Sequence, residues 1–368
     1  MNQVIRAETS ELTFYAELIN QHNHGKQQRH GNTQPANELL DKLDYHGITL
    51  LALENTTLDT EVVNLIGARK VMMIANEALK KNALIELLNA FDSANLKRHI
   101  IFKGSALAYS LYPNPWLRPR TDSDCLINEN DFSAYNGVFE NLGYQKLFAV
   151  EGKLISYQST FSKKLAGDSV INLDLHWRIN NRQILANAYT VDELILEGKS
   201  LYLDDAKMMI PSNADNLLIS CLHRLGHHHT EERLAWLNDI NLLANVLSAN
   251  EWQSLLEKAS IKQISAITLD ALTLCVELFN TNFPDKIKEK MLEHSQQKEL
   301  SQIFLRRNLP EWKYFYYEIL AMKSWEKRLM LLKENILPSP SYVRQQMQTK
   351  FASLAYLKRF WRGIKRIT

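Results

Sequence analysis

Two aspartates one residue apart, Asp122 and Asp124, follow a Lys103-Gly104-Ser105 step and a loop that holds Arg118 and Arg120. A third aspartate, Asp174, stands in "NLDLHWRI", two residues before His176. Side chains alternate along a strand, so Asp122 and Asp124 share one face. Two carboxylates that close repel each other unless a cation lies between them. Hard oxygen donors on one face suit magnesium, which takes one or two protein carboxylates plus substrate phosphates. If the strand with Asp174 pairs beside the first, its carboxylate joins that face. Three carboxylates on adjacent strands can hold two divalent ions, which activate an attacking oxygen and stabilise a leaving phosphate.

The step before the acids supplies the other half of the chemistry. Gly104 lets the backbone turn tightly and approach a ligand closely. Ser105 opens a helix whose free N–H groups and dipole favour a phosphate, and an N-cap role for Ser105 is compatible with that. Arg118 and Arg120 lie just ahead of the acids, where either can clamp phosphate oxygens. The set asks for a nucleoside triphosphate with a metal. Each residue also has a plainer reading. The acids can be solvated positions on an edge strand, Lys103 a solvated strand end, and His176 a space-filler. His176 shares the face of Asp174, which places it to contact the nucleotide or assist an acceptor; Trp177 is expected to pack in the core.

The elements that must position these residues follow from hydrophobic period. Glu38 to about Leu96 reads as helical, with apolar residues three and four apart. "RHIIFKG" changes period and reads as a buried strand ending at Gly104, with a helix from Ser105. Three prolines in "YPNPWLRPR" make a loop, "TDSDCLI" a second strand, and "NDFSAYNGVFENLGY" a helix closing at Gly143. Strand-like stretches flank a turn at Gly152, and "SVINLDLHWRI" alternates Ile171, Leu173 and Leu175 with Asn172, Asp174 and His176. Before all this lies "HNHGKQQRHGNTQPAN", a polar loop with Gly25, Gly31 and Pro35. From Ser212 the pattern is helical, with breaks near Asn250, Pro284 and Pro310.

In this order, Gly104-Ser105, Asp122-Ser123-Asp124 and strand-borne Asp174 resemble the polymerase-beta-like nucleotidyltransferase superfamily. "FKGSALAYSLYPNPWLRPRTDSDCLI", "NLDLHWRI", "RLAWLNDINLLA" and "ILPSPSYVRQQM" are more closely similar to a bacterial branch of largely uncharacterised nucleotidyltransferases, over roughly residues 45 to 360. Two features depart from the superfamily pattern: the proline-rich loop lengthens the step from Gly104 to Asp122, and Ser123 stands where an apolar residue is commoner. The resemblance implies an α+β fold, a small mixed sheet flanked by an N-terminal helical segment and a larger C-terminal helical domain. The expected divisions are 1–95 (helical), 96–210 (catalytic core), 211–340 (helical) and 341–368 (basic tail). It also implies transfer of a nucleoside monophosphate to an acceptor hydroxyl with release of pyrophosphate. Asp122, Asp124 and Asp174 would act as catalytic metal ligands for two magnesium or manganese ions. Lys103, Gly104, Ser105, Arg118, Arg120 and His176 would bind the nucleotide. The acceptor is left open among a small molecule, a peptide and a protein. Two rival functions share the fold: a nucleotide-binding regulator without catalysis, which the presence of all three acids disfavours, and a modifier of RNA ends.

His223 and His227 lie four apart on an expected helix, a permissible zinc spacing. Arg224 stands where a zinc protease carries Glu. A helical wall facing the sheet, with Asp239 or a histidine reaching the acceptor, is the better reading. The last stretch, Val343 to Thr368, holds seven Lys and Arg and no acid. Phe351, Leu354, Leu357, Phe360, Trp361 and Ile364 form its apolar stripe. The expectation is docking on the protein's own core, with an anionic membrane surface or an acidic partner as alternatives.

The bulk numbers fit a globular enzyme. Of 368 residues, 45% are hydrophobic and 23% charged, and a net charge of +2 gives no argument for nucleic acid or membrane. Cys125, Cys221 and Cys275 are widely spaced with no CxxC, which suits a reducing, cytoplasmic setting. No apolar run has the length of a membrane span, and the first residues lack the apolar stretch of a signal peptide.

Overall fold

Apolar residues at 99–102 and 122–127 meet as neighbouring strands in the computed structural model, which describes residues 11–20, 35–54, 58–147, 152–165, 169–226, 231–306 and 309–367. In chain order the elements begin with α1 (residues 11–17), α2 (Ala36–His46), α3 (Thr49–Leu53) and the long α4 (Thr60–Ser93). The sheet region follows as β1 (His99–Phe102), α5 (Lys103–Leu111), β2 (Asp122–Ile127), α6 (Phe132–Asn141), β3 (Gln145–Lys146), β4 (Gln158–Lys164) and β5 (Val170–His176). Then come α7 (Gln183–Ala186), α8 (Val191–Leu196), β6 (Lys199–Leu203) and β7 (Ala206–Ile210). Helices complete the chain: α9 (Asn213–Gly226), α10 (Leu234–Val246), α11 (Ala249–Ile261), α12 (Ser265–Phe279), α13 (Asp285–Ser295), α14 (Glu311–Ala321), α15 (Trp325–Ile336), α16 (Pro340–Gln346) and α17 (Ala352–Ile367). This is the expected α+β arrangement of a small mixed sheet among many helices.

The five-stranded sheet has the order β1-β2-β5-β4-β3. β2 and β5 run parallel with Asp124 opposite Asp174, and β1 joins antiparallel with Phe102 opposite Asp124. The two faces have separate cores. Cys125, Ile127, Phe161, Ile171, Leu173 and Leu175 pack under α6 and the far half of α4, where Leu84, Leu87, Leu88 and Phe91 repeat at helical spacing. On the other face Ile100, Phe102 and Leu126 join a core shared by the N-terminal helices and α9 to α14. The acids lie on this second face, at the end where α9 and α10 stand across from the sheet.

Several boundaries differ from expectation for physical reasons. α5 is assigned from Lys103 and not from Ser105, and the left-handed backbone belongs to Lys103, with φ of 54°. Gly104 answers to close approach instead: a Cβ there would stand 3.4 Å from the Cβ of Arg120. The hairpin of β6 and β7 escapes the usual turn signal, because Asp204, at φ 52°, takes the left-handed position that Gly or Asn commonly fills. The expected break near Asn250 is the start of α11, where Ser248 and Glu251 form a capping box. Most of the polar loop from His22 to Asn37 lies outside the described residues, though Pro35 precedes α2.

Candidate active site

β2 delivers Asp122 and Asp124 to one face because its alternate residues, Ser123 and Cys125, turn to the other side. Parallel pairing sets Asp174 beside Asp124. One ligand atom each from Asp124, Asp174 and His176 lie within 4.8 Å of one another. All three residues are buried, and Asp122, one pleat nearer the loop, is partly buried. Asp122, Asp124 and Asp174 line one cavity of about 390 Å³.

Each carboxylate has a different electrostatic setting. Burial works against charge on Asp124, but the Lys103 ammonium at 2.8 Å and the His176 Nε2 at 2.7 Å outweigh it and hold its pKa far below the usual carboxylate range. Burial, together with the Lys103 charge, lowers the pKa of His176. A neutral imidazole whose Nε2–H donates to the acceptor-only Asp124 carboxylate satisfies both groups. Burial, then the charges of Asp124 and Asp174, push the Asp122 carboxyl up to about 6. Burial also raises Asp174, against the Thr160 side chain opposite it on β4, which lowers it; its Oδ2 accepts from Gln158 Nε2 at 2.6 Å, while its buried Oδ1 meets no donor within hydrogen-bond distance. An orphaned carboxylate oxygen beside a carboxyl that resists its charge fits the coordination of a cation. The donor set, hard carboxylate oxygens with His176 orienting one of them, fits a divalent ion.

The two loop arginines are placed otherwise than a phosphate clamp requires. Both are buried and line the cavity. Arg118 is paired to Asp239 of α10, with Nε 2.8 Å and Nη2 2.7 Å from Oδ2, and its Nη1 donates to the Pro119 carbonyl at 2.7 Å. Tyr112 donates to the same carboxylate at 2.7 Å. Arg120 donates through Nη1 to Glu77 of α4 and through Nη2 to the Tyr109 hydroxyl at 3.0 Å. Both guanidinium groups thus hold the loop to flanking helices. The Ser105 hydroxyl is fully buried and donates to Ser123 at 2.8 Å, behind the face of the acids. That bond accounts for a serine at position 123, and it leaves only the Ser105 backbone for a phosphate. Lys103 and Gly104 line the cavity.

Across the cavity stand His46 and Gly47 after α2, His223 on α9, and Arg233, Trp236 and Asp239 at α10. The Arg233 guanidinium stacks over Tyr45, at 4.9 Å from the ring centroid, and over Trp236, at 5.4 Å. His223 meets the Trp236 ring edge-on. The helical wall expected around Asp239 is therefore present, although Asp239 itself is tied to Arg118. His227 lies outside the described residues, so the zinc pairing has no described partner. Trp177, expected in the core, is only partly buried: it packs on Phe132 and against a small cluster that holds Leu154 and Tyr157. Gln158, Asn181, Arg233 and His46 escaped sequence reasoning. Gln158 alone had a local signal, because alternation in β4 sets it on the face of the acids, opposite His176.

A family model described as "Uncharacterised nucleotidyltransferase" matches residues 19–280. No curated protein matches the chain. Among solved structures the chain is similar to the antibiotic-resistance factor ANT(2'')-Ia, at 14% identity over 50% of this chain and 92% of that one, with a TM-score of 0.35. It is also similar to an antigenic nucleotidyltransferase-like protein from Paracoccidioides brasiliensis, at 15% identity over 55% of this chain and 96% of that one, with a TM-score of 0.35. JHP933 from Helicobacter pylori matches at 13% identity over 67% and 97%, with a TM-score of 0.31. Likenesses this distant carry no argument about chemistry.

Proposed function

The chain belongs to this nucleotidyltransferase family and is an enzyme of the transferase type, and from that premise we propose that it moves a nucleoside monophosphate from a nucleoside triphosphate to an acceptor hydroxyl. The observation that carries the reading is the convergence of Asp122, Asp124 and Asp174 on one cavity, with the Asp174 Oδ1 unpartnered. Asp122, Asp124 and Asp174 would hold magnesium or manganese, which supplies charge neutralisation of the triphosphate and activation of an oxygen. His176 fixes the orientation of Asp124 through its 2.7 Å contact.

The chain's own residues account for the rest. Asp174 would act on the acceptor hydroxyl as general base or as a shared metal ligand; burial raises its affinity for a proton, which suits the first role. The acceptor oxygen forms a bond to the α-phosphorus, the bond from that phosphorus to the α,β-bridging oxygen breaks, and pyrophosphate leaves. Gly104 admits the triphosphate close to the backbone, and Arg233 supplies positive charge, while Lys103 stays paired to Asp124 at the cavity wall. The wall of His46, His223 and Trp236 faces the acceptor or the base. Acceleration would come mainly from positioning and charge neutralisation. Buried, unpaired Cys125, Cys221 and Cys275 support a cytoplasmic setting.

The test is a manganese-dependent titration with ATP, GTP, CTP and UTP on wild type and on Asp122→Ala/Asp124→Ala. The expected result is binding of at least one triphosphate that the double variant loses. Equal binding by both proteins would overturn the site, and binding without pyrophosphate release under any acceptor would turn the reading to a regulator.

A further inference from the structure

The C-terminal helix α17 is seated on the protein by only part of its circumference. Ala355 and Tyr356 pack on Tyr342, Val343 and Met347 of the α16 region. Arg359 fastens the same side, donating to Gln346 Oε1 at 2.7 Å and to the Asn335 carbonyl at 3.1 Å. The apolar stripe expected to dock on the core is elsewhere. Phe351, Leu354, Leu357 and Trp361 are 69%, 42%, 54% and 56% exposed. Ile336 and Leu337, beside the Asn335 carbonyl that Arg359 holds, are also exposed. About half of the large apolar side chains exposed among the described residues lie between Trp312 and Trp361. Leu354, Leu357 and Trp361, three and four apart, line one side of the helix.

Charge decides what covers this row. The stretch from Val343 to Thr368 carries Arg344, Lys350, Lys358, Arg359, Arg362, Lys365 and Arg366, with no Asp or Glu. A second copy of the chain would set two such basic helices against each other. A nucleic acid would meet the charge and leave the apolar row in water. A bilayer with anionic headgroups answers both, taking Leu and Trp at the headgroup boundary while phosphates meet Lys and Arg. No helix among the described residues is long and apolar enough to cross a membrane, so contact at the surface is the mode that the geometry permits.

We propose that α17 is an interfacial helix that holds the enzyme on an anionic lipid surface through Leu354, Leu357 and Trp361 and the basic residues around them. The proposal is independent of the transfer chemistry, because none of these residues lines the catalytic cavity.

The test is flotation of the full-length chain with vesicles of phosphatidylcholine, and of phosphatidylcholine mixed with phosphatidylglycerol. Wild type should float with the mixed vesicles only and detach as salt rises. Leu357→Glu/Trp361→Glu and, separately, Lys358→Glu/Lys365→Glu should each weaken binding roughly tenfold or more, at about fivefold for each basic residue lost near the surface. Hydrogen exchange on wild type should show new protection of α17 amides with mixed vesicles, a readout that needs no variant to fold. Absence of flotation with mixed vesicles, equal flotation with phosphatidylcholine alone, or binding unaffected by both variants would overturn the proposal. Retention on an acidic polypeptide without vesicle binding would assign the face to a protein and overturn it as well.

Discussion

Asp122→Asn should make the metal-free protein more stable at neutral pH while abolishing its metal binding. The Asp122 carboxyl titrates near 6 where an ordinary one titrates at 3.8, because burial and the charges of Asp124 and Asp174 oppose its ionisation. A group raised in this way favours the folded state while it is protonated and loses that advantage as pH rises through its folded value. At ~1.4 kcal/mol per pH unit the lost stability approaches about 3 kcal/mol above pH 6, and this is the ceiling of what the amide can recover. The amide keeps the shape and can lose a hydrogen bond, so a gain of about 1 to 2 kcal/mol is expected. The assay is urea denaturation with a chelator present, at closely spaced pH values from 4 to 8. The gain should be near zero at pH 4, grow between pH 4 and 6, and level off above. Added manganese should stabilise wild type and leave the variant unmoved. A variant less stable than wild type at pH 8, or a gain independent of pH, would refute the reasoning that Asp122 is held ionised against its surroundings.

Lys103→Met removes the ammonium from a buried pair in which both side chains are about one-tenth exposed, so the metal-free protein should lose about 3 kcal/mol by denaturation, with manganese restoring part of it. Asp174→Asn should remove pyrophosphate release; on the same samples, triphosphate affinity within a few fold of wild type marks Asp174 as the base, and a larger loss marks it as a metal ligand. Arg118→Ala and Asp239→Ala should each cost about 3 kcal/mol, and the double variant far less than their sum, because each single change strands a buried charge.

The face that carries the acids was legible because it rests on local rules. Alternation alone puts Asp122 with Asp124 and Asp174 with His176, and a short apolar run next to Gly104 suffices for β1. Parallel pairing of β2 with β5 was only a condition in the sequence, since no local signal fixes which strands become neighbours. The carboxylate partners of the arginines were not legible for the same reason. Arg118 finds Asp239 and Arg120 finds Glu77 across long stretches of chain, and nothing in "PWLRPRTD" distinguishes an arginine aimed at a ligand from one aimed at a distant helix. The direction of the Ser105 hydroxyl was equally hidden. A Gly-Ser step at a helix start has the composition of a phosphate seat, yet the hydroxyl turned behind the sheet to Ser123.

Those two arginines matter more as braces than they would as clamps. Arg118 ties the loop to α10, Arg120 ties it to α4, and Lys80 donates to the Arg120 carbonyl. A long proline-bearing loop is thereby pinned from both sides just before Asp122, which fixes where the acids enter the cavity and supports the preorganisation that phosphoryl transfer needs. The consequence is a shortage of free positive charge. Of the Lys and Arg residues lining the cavity, Arg118 and Arg120 are consumed by carboxylates on flanking helices and Lys103 by Asp124. Arg233, propped between Tyr45 and Trp236 with Glu231 3.3 Å away, is the one whose guanidinium is least committed. On the proposed reading, a triphosphate entering beside three carboxylates would depend on divalent ions for most of its neutralisation. Binding without metal should be weak for every base, and it should weaken further in Arg233→Ala.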